Sequence, residues 1–115
     1  MLTLEQFKAA RATLQGVIRT TSLIHSPALS KACGNQVYLK PENMQVTGAY
    51  KIRGAYYKIS TLSEEEKARG LITASAGNHA QGLAYAAQAA GVPATIVMPT
   101  TTPLVKVNNT KDYGA

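Results

Sequence analysis

The sequence predicts an α/β fold in which helices flank a parallel sheet, and two observations support that prediction. Two short apolar runs, Leu71–Ala74 and Val92–Met98, lack the polar alternation of a half-exposed strand. A helical segment follows each run: His79–Ala90 after the first, and after the second a helix that Thr102 caps and Pro103 begins. This strand–helix–strand–helix order builds parallel sheets, and we expect helices to bury both faces.

The first half of the chain predicts shorter elements. Thr3 is expected to cap a helix whose apolar residues recur at helical spacing: Leu4, Phe7, Ala10 and Leu14. The polar stretch Thr20–Pro27 is predicted to be a loop. A helical turn over Ala28–Ala32, closed by Gly34, then precedes a short strand over Val37–Leu39.

Two helices are predicted in the middle of the chain. The first spans about Tyr50–Ser60, with four residues facing inward: Ile52, Ala55, Tyr56 and Ile59. The second begins at a capping box formed by Ser63 and Glu66, and it ends at Gly70.

Composition and charge exclude several classes of protein. The chain has 115 residues, 45% hydrophobic and 16% charged, which is typical of one globular domain. The net charge of +6 is scattered and no nucleic-acid motif is present, so no nucleic-acid partner is predicted. Cys33 is the only cysteine, no signal peptide opens the sequence, and no apolar run reaches the ~20 residues of a membrane span. A cytoplasmic protein without a membrane partner is predicted.

Lys51 is the first candidate for chemistry. It follows the Thr47–Gly48 turn at the expected start of a helix, where the helix dipole and partial burial would disfavour a charged ammonium. A neutral lysine amine is the nucleophile that forms imines with carbonyl compounds. A lysine at a helix start is, taken alone, most often only solvated. Arg53 offers a bidentate donor to a carboxylate or to a structural partner.

The turn Ser75–Asn78 is the second candidate, because it joins a buried strand to a helix. Backbone amides at a helix N-terminus bind anions, so the turn suits a carboxylate or a phosphate. Gly77 permits close approach of a ligand, and Asn78 offers both a donor and an acceptor. A plain helix cap at Ser75 or Asn78 is the simpler alternative. His79 is not assigned a role in proton transfer.

These segments, in this order, resemble the fold-type II pyridoxal-phosphate enzymes, specifically the threonine dehydratase (threonine ammonia-lyase) group. The matching stretches are Lys40–Gln45, Gly48–Ala55, Ser75–Gly82, Val97–Pro99, Lys106–Val107 and Tyr113–Ala115. The resemblance covers nearly the whole chain. It implies a fold like that of the tryptophan synthase β-subunit and pyridoxal 5′-phosphate as the cofactor.

The resemblance also implies a role for each candidate residue. Lys51 would bind the cofactor covalently and remove the substrate α-proton, and Asn78 would hydrogen-bond the cofactor's ring oxygen. The substrate carboxylate would be bound by Ser75, Ala76, Gly77, Asn78 and His79. The implied reaction is deamination of L-threonine, with L-serine as a second substrate, to a 2-oxo acid and ammonia. The parent enzyme is expected to be a homo-oligomer, and no metal site is predicted.

Three positions depart from the family pattern or narrow the chemistry. Ala49 and Tyr50 stand where serine and phenylalanine are usual, so one hydroxyl near the cofactor is lost and another is added on the ring. In the related serine racemases, a serine at the position of Ala76 donates a proton on the opposite face of the cofactor. Alanine has no such proton, which favours elimination over racemisation.

The resemblance divides the chain at about residue 48. Residues 1–48 would begin the cofactor domain, and residues 49–115 would form a βαβα portion of the small domain. The α/β pattern is incomplete, and no glycine-rich phosphate loop or regulatory region is found in these residues. We therefore expect the isolated chain to bind the cofactor weakly or not at all and to have negligible activity.

Other interpretations stay open at this point. The chain could be a non-catalytic truncated product, or a serine-racemase-like or threonine-synthase-like member of the same family. A nucleotide-binding α/β domain fits less well, because the Gly-x-Gly-x-x-Gly pattern is absent. The sequence does not decide between threonine and serine, or between isoleucine biosynthesis and threonine catabolism.

Overall fold

Helices and short strands alternate along the chain in the computed structural model, which describes residues 1–115. The helices are α1 (Leu4–Thr13), α2 (Pro27–Cys33), α3 (Lys51–Ser60), α4 (Glu64–Ala68), α5 (Asn78–Ala90) and α6 (Leu104–Asp112). The strands are β1 (Ile24–His25), β2 (Tyr38–Leu39), β3 (Leu71–Ala74) and β4 (Ala94–Val97), and a 3₁₀ turn covers Glu42–Met44. None of the helices is long and apolar enough to cross a membrane.

Strands β3 and β4 form the predicted parallel pair. Leu71 lies opposite Ala94 and Ala74 lies opposite Val97, with α5 as the connection between the two strands. Parallel neighbours require such a crossover. The α/β class predicted from the strand–helix order is confirmed.

The prediction that both strands are wholly buried is wrong. Burial alternates along β3 and β4, and the side chains of Ile72 and Val97 are 74% and 52% exposed. Helix α5 packs against both strands, and the face that carries Ile72 and Val97 is open. An apolar strand is buried on both faces only where elements cover both faces.

A second, antiparallel sheet occupies part of the stretch predicted to be a loop. Strand β1 lies within Thr20–Pro27 and pairs with β2, Ile24 opposite Leu39 and His25 opposite Tyr38. The two rings of the second pair lie 5.2 Å apart between centroids. A two-residue strand carries no periodic pattern, so this pairing could not be predicted from residue spacing.

The predicted helix ends are confirmed at two helices and wrong at a third. Thr3 forms a capping box with Gln6, and Ser63 forms the predicted one with Glu66. Thr102 does not cap α6, because its hydroxyl donates to the carbonyl of Pro99 at 2.7 Å. The residue before α6 is Pro103, which lies outside the helix.

The apolar face predicted for α1 is largely open. Leu4 and Phe7 are 63% and 59% exposed, and Leu14, just past the end of α1, is buried. Of the four apolar residues at helical spacing, only the last, Leu14, is buried in the interior.

The core lies where α3 packs on α5. Ile52 and Ile59 of α3 are 0% and 1% exposed, and they cluster with Ala55, Ala86, Ala87 and Val92. Each buried isoleucine contributes roughly 1.5–3 kcal/mol relative to an exposed one. The predicted inward face of α3 is confirmed at Ile52, Ala55 and Ile59, whereas Tyr56 is only partly buried against the cluster.

Candidate active site

Lys51 is the first residue of α3, as predicted. Its side chain is exposed, so the predicted partial burial is wrong. The Nζ atom lies 5.2 Å from the centroid of the Tyr50 ring, which places the cation over the aromatic face. The tyrosine at this position therefore contacts the lysine directly through its ring.

The turn before α5 presents an uncapped helix N-terminus. The capping position is Gly77, no side chain caps the helix there, and Asn78 is the first helical residue. The Ser75 hydroxyl accepts a hydrogen bond from the Gly77 amide at 3.4 Å. Neither Ser75 nor Asn78 is the plain N-cap of the simpler alternative. The first amides of α5 are the kind of donors that bind an anion.

Helix α5 meets the start of α3 at Gly82. A Cβ atom built on Gly82 would lie 3.1 Å from the backbone nitrogen of Ile52 and 3.2 Å from both the carbonyl carbon and the Cβ of Lys51. Asn78 lies four residues before Gly82, on the same face of the helix. The backbone of Lys51 therefore packs against α5 one helical turn after the first residue of that helix, Asn78.

A cavity of about 480 Å³ opens beside this contact. Lys51, Tyr50 and His79 line it, together with apolar side chains that include Ile59 and Leu83. The other predicted carboxylate-binding residues are not in its lining: Ser75, Ala76, Gly77 and Asn78. Asn78 and His79 are both exposed.

A larger cavity, of about 690 Å³, lies between α1 and α3. Phe7, Leu14 and Tyr57 line it, but Lys51 does not. Lys40 lines the larger cavity, but no residue of α5 does, whereas Lys51 and His79 both line the smaller one. The smaller cavity is therefore the candidate site.

Arg53 is engaged in the interior rather than free for a ligand. Its Nε and terminal nitrogen donate to the two carboxylate oxygens of Glu42, both at 2.8 Å, and the Thr21 hydroxyl donates to the same carboxylate at 2.7 Å. The hydrogen bond from Arg53 is the main cause that lowers the pKa of Glu42 from 4.5 to about 2, against the opposing effect of burial. The sequence predicts that Arg53 donates to a ligand carboxylate or to a structural partner, and the structure shows a structural partner, Glu42.

Gln45 is a second interior contact that reasoning from the sequence missed. It is 3% exposed, its carbonyl oxygen accepts from the amides of Arg19 at 2.7 Å and Val46 at 3.0 Å, and its amide nitrogen donates to the Arg19 carbonyl at 2.8 Å. Glu42 and Gln45 both belong to the stretch Lys40–Gln45. The sequence of that stretch indicates only a family resemblance, whereas in the structure its side chains hold neighbouring segments together.

A comparison with protein families decides the membership of the chain. A family model described as pyridoxal-phosphate dependent enzyme matches residues 14–115. The chain belongs to this family of pyridoxal-phosphate-dependent enzymes. The predicted resemblance and the predicted cofactor class are thereby confirmed.

Individual members of the family are similar along the whole chain. The L-threonine ammonia-lyase of Thermotoga maritima is 56% identical over 115 residues, which are 100% of this chain and 29% of that protein. The structure of threonine deaminase isoform 2 from Solanum lycopersicum is 38% identical with a TM-score of 0.80, covering 99% of this chain and 33% of that one. The serine racemase of Dictyostelium discoideum is 38% identical with a TM-score of 0.92, covering 99% and 38%. The chain spans about a third of these relatives.

The residues of the site fit the cofactor of the family. Lys51 supplies an exposed primary amine, and the cavity beside it is bordered by the first turn of α5 through His79. The absence of a side chain at Gly82 allows the backbone of α3 to lie directly against α5. An amine, an uncapped helix N-terminus and an asparagine amide are a suitable donor set for an aldehyde-bearing, anionic ligand.

Proposed function

We propose that this chain forms part of the active site of a pyridoxal-phosphate-dependent threonine ammonia-lyase, with Lys51 as the lysine that holds the cofactor. The observation that supports the proposal is the contact of Gly82 with the backbone of Lys51, because the helix start that carries an exposed lysine packs against α5, whose N-terminus is uncapped. The name and 56% identity of the Thermotoga maritima enzyme support the choice of threonine as the substrate.

Each residue of the site has one proposed task. Pyridoxal phosphate, when bound, supplies the sink for electrons left at the substrate α-carbon. The Lys51 amine holds the cofactor and then takes the α-proton. Backbone amides of residues 75–79 bind the substrate carboxylate, and Asn78 hydrogen-bonds the cofactor's ring oxygen. Loss of the β-hydroxyl as water, followed by hydrolysis, turns L-threonine into 2-oxobutanoate and ammonia.

Ala76 supports elimination as the main outcome. A methyl side chain offers no proton to the face of the substrate opposite Lys51, so return of a proton there depends on solvent. Serine racemases are among the structural relatives of the chain, and a racemase-like activity is the alternative that this residue disfavours.

The proposal is tested by activity in a full-length background. A chimera in which this chain replaces the matching 115 residues of the Thermotoga maritima enzyme is assayed for release of 2-oxobutanoate from L-threonine. We expect turnover in the parent chimera and a loss of at least about a thousandfold in K51A, because covalent binding and proton transfer both depend on the amine.

Lys31→Ala is the matched control, since Lys31 is an exposed lysine on α2 outside the site. It should leave turnover within about twofold of the parent. A folded chimera without turnover, or K51A with the activity of K31A, would contradict the proposal.

Location and assembly belong to the same proposal. We propose a cytoplasmic location for the enzyme, on the basis of its single cysteine, Cys33. The parent enzyme is proposed to be a homo-oligomer that acts on a small amino acid and has no nucleic-acid partner. Gel filtration of the chimera with light scattering measures the assembly.

A further inference from the structure

Gly82 occupies a tight contact between the two helices that carry the site. Atoms of Lys51 and Ile52 lie 3.1–3.2 Å from the position of a Cβ on Gly82, and two of the three nearest atoms belong to the backbone. Backbone atoms in the first turn of a helix cannot rotate away as the end of a side chain can. Any side chain at position 82 must therefore push the start of α3 away from α5.

A displacement of the start of α3 away from α5 would move Lys51 away from the residues that precede Gly82 on α5. Asn78 is one helical turn earlier on the same face, and His79 borders the cavity that Lys51 also lines. Ala86, one turn later, is fully buried in the core and fixes the same face against α3. Ile52, next to Lys51 on α3, is fully buried in the same core. Neither helix can withdraw freely, so a side chain at position 82 would strain the contact with Lys51.

We propose that Gly82 is a positioning residue for Lys51. Its missing side chain sets the distance between the start of α3 and the first turn of α5, so that one ligand reaches the Lys51 amine and the α5 amides together. The inference rests on the proposed function, since it takes Lys51 as the residue that reacts with the cofactor. Gly82 does not line the cavity at Lys51, so its effect on the lysine is exerted through the helix contact.

The test measures how selectively pyridoxal phosphate labels Lys51 in the full 115-residue chain. Pyridoxal phosphate is added in excess so that even weak binding can be detected. A lysine amine condenses with the aldehyde and releases water, and borohydride then adds hydride to give a stable secondary amine. Peptide mass spectrometry then gives the ratio of label on Lys51 to label on Lys31. We expect Lys51 to be preferred in the parent chain and this preference to fall at least about threefold in G82A.

Ala89→Gly is the control for exchange between glycine and alanine. Ala89 is exposed on the same helix, α5, and lines neither cavity. A89G changes helix propensity by a similar amount in the opposite direction without altering the contact at Gly82, and its labelling ratio should equal that of the parent. All variants are labelled in an osmolyte that favours the folded chain, and their folding is checked by the dispersion of amide resonances.

A second measurement needs no variant. In the parent chain a nuclear Overhauser contact should join the Gly82 Hα protons to the Lys51 Hβ protons, and its absence would overturn the inference. Equal ratios in folded G82A and the parent would also overturn it while leaving the proposed function in place. A folded parent chain with no preference for Lys51 would overturn the inference as well, whereas the proposed function is tested separately by K51A in the full-length chimera.

Discussion

Arg53 donates two hydrogen bonds of 2.8 Å to the carboxylate of Glu42, eleven positions earlier in the chain. The Thr21 hydroxyl donates to the same carboxylate, so three segments meet at one acidic group. Lys51 lies two residues before Arg53 in the first turn of α3. The ion pair therefore anchors the helix turn from which the candidate catalytic lysine projects.

Replacing Glu42 with glutamine should destabilise the chain. The side chains of Glu42 and Arg53 are only 16% and 31% exposed, and the glutamine amide would leave one Arg53 donor without its acceptor. We expect E42Q to lower the free energy of unfolding by roughly 1–3 kcal/mol, measured by urea denaturation. The control is E65Q, because Glu65 is 85% exposed and 3.6 Å from Arg69. E65Q should change stability by less than about 0.5 kcal/mol, and equal losses in both variants would refute the assignment.

The Glu42 ion pair should also make stability depend on pH in acid. Because folding lowers the pKa of Glu42 from 4.5 to about 2, its contribution is complete above the higher value and is lost as the pH falls through the lower one. The stability difference between the parent and E42Q should be constant above about pH 5 and shrink between about pH 4.5 and 2. An NMR titration of the Glu42 carboxyl with its midpoint near 4.5 would contradict this prediction.

Truncating Gln45 to alanine should lower the free energy of unfolding by more than the size of the side chain suggests. Q45A removes three hydrogen bonds and leaves the amide and carbonyl of Arg19 without partners in a partly buried segment. We expect a loss of about 2–3 kcal/mol in the free energy of unfolding. Gln36→Ala is the comparison, since Gln36 is exposed and makes one 3.4 Å contact with Tyr38. A Q45A chain as stable as Q36A would show that this network contributes nothing.

The substitution A76S should change the balance of products in the full-length chimera. Under the proposed function, a hydroxyl at this position would offer a proton on the face opposite Lys51, where alanine offers none. We expect the ratio of D-serine to pyruvate formed from L-serine to rise several-fold, by chiral chromatography and a coupled assay. Gly77 stays unchanged, so the turn keeps its backbone. An unaltered ratio in an active A76S enzyme would show that Ala76 does not determine the balance between elimination and racemisation.

The sequence predicted the features that depend on neighbours in the chain. The Ser63–Glu66 capping box, the buried face of α3 and the parallel pairing of β3 with β4 all follow from spacing within one or two elements. Lys51 at a helix start and the turn at Gly77 belong to this group, because a helix boundary is a local signal.

Contacts between distant segments could not be predicted in this way. The contact of Gly82 with Lys51 depends on how two helices pack, which the spacing of residues within one helix does not encode. The pairing of Glu42 with Arg53 required the segment before α3 to fold back on it. The exposure of Ile72 depends on what covers the sheet, which the strand's own residues do not encode.

The location of the cofactor in a full-length background tests the central claim most directly. The chimera with the Thermotoga maritima enzyme is loaded with pyridoxal phosphate, reduced with borohydride, digested and analysed by mass spectrometry. The account predicts that the pyridoxyl group is found on Lys51 and is absent from K51A. A pyridoxyl group on another lysine of the parent chimera, with Lys51 unmodified, would contradict it.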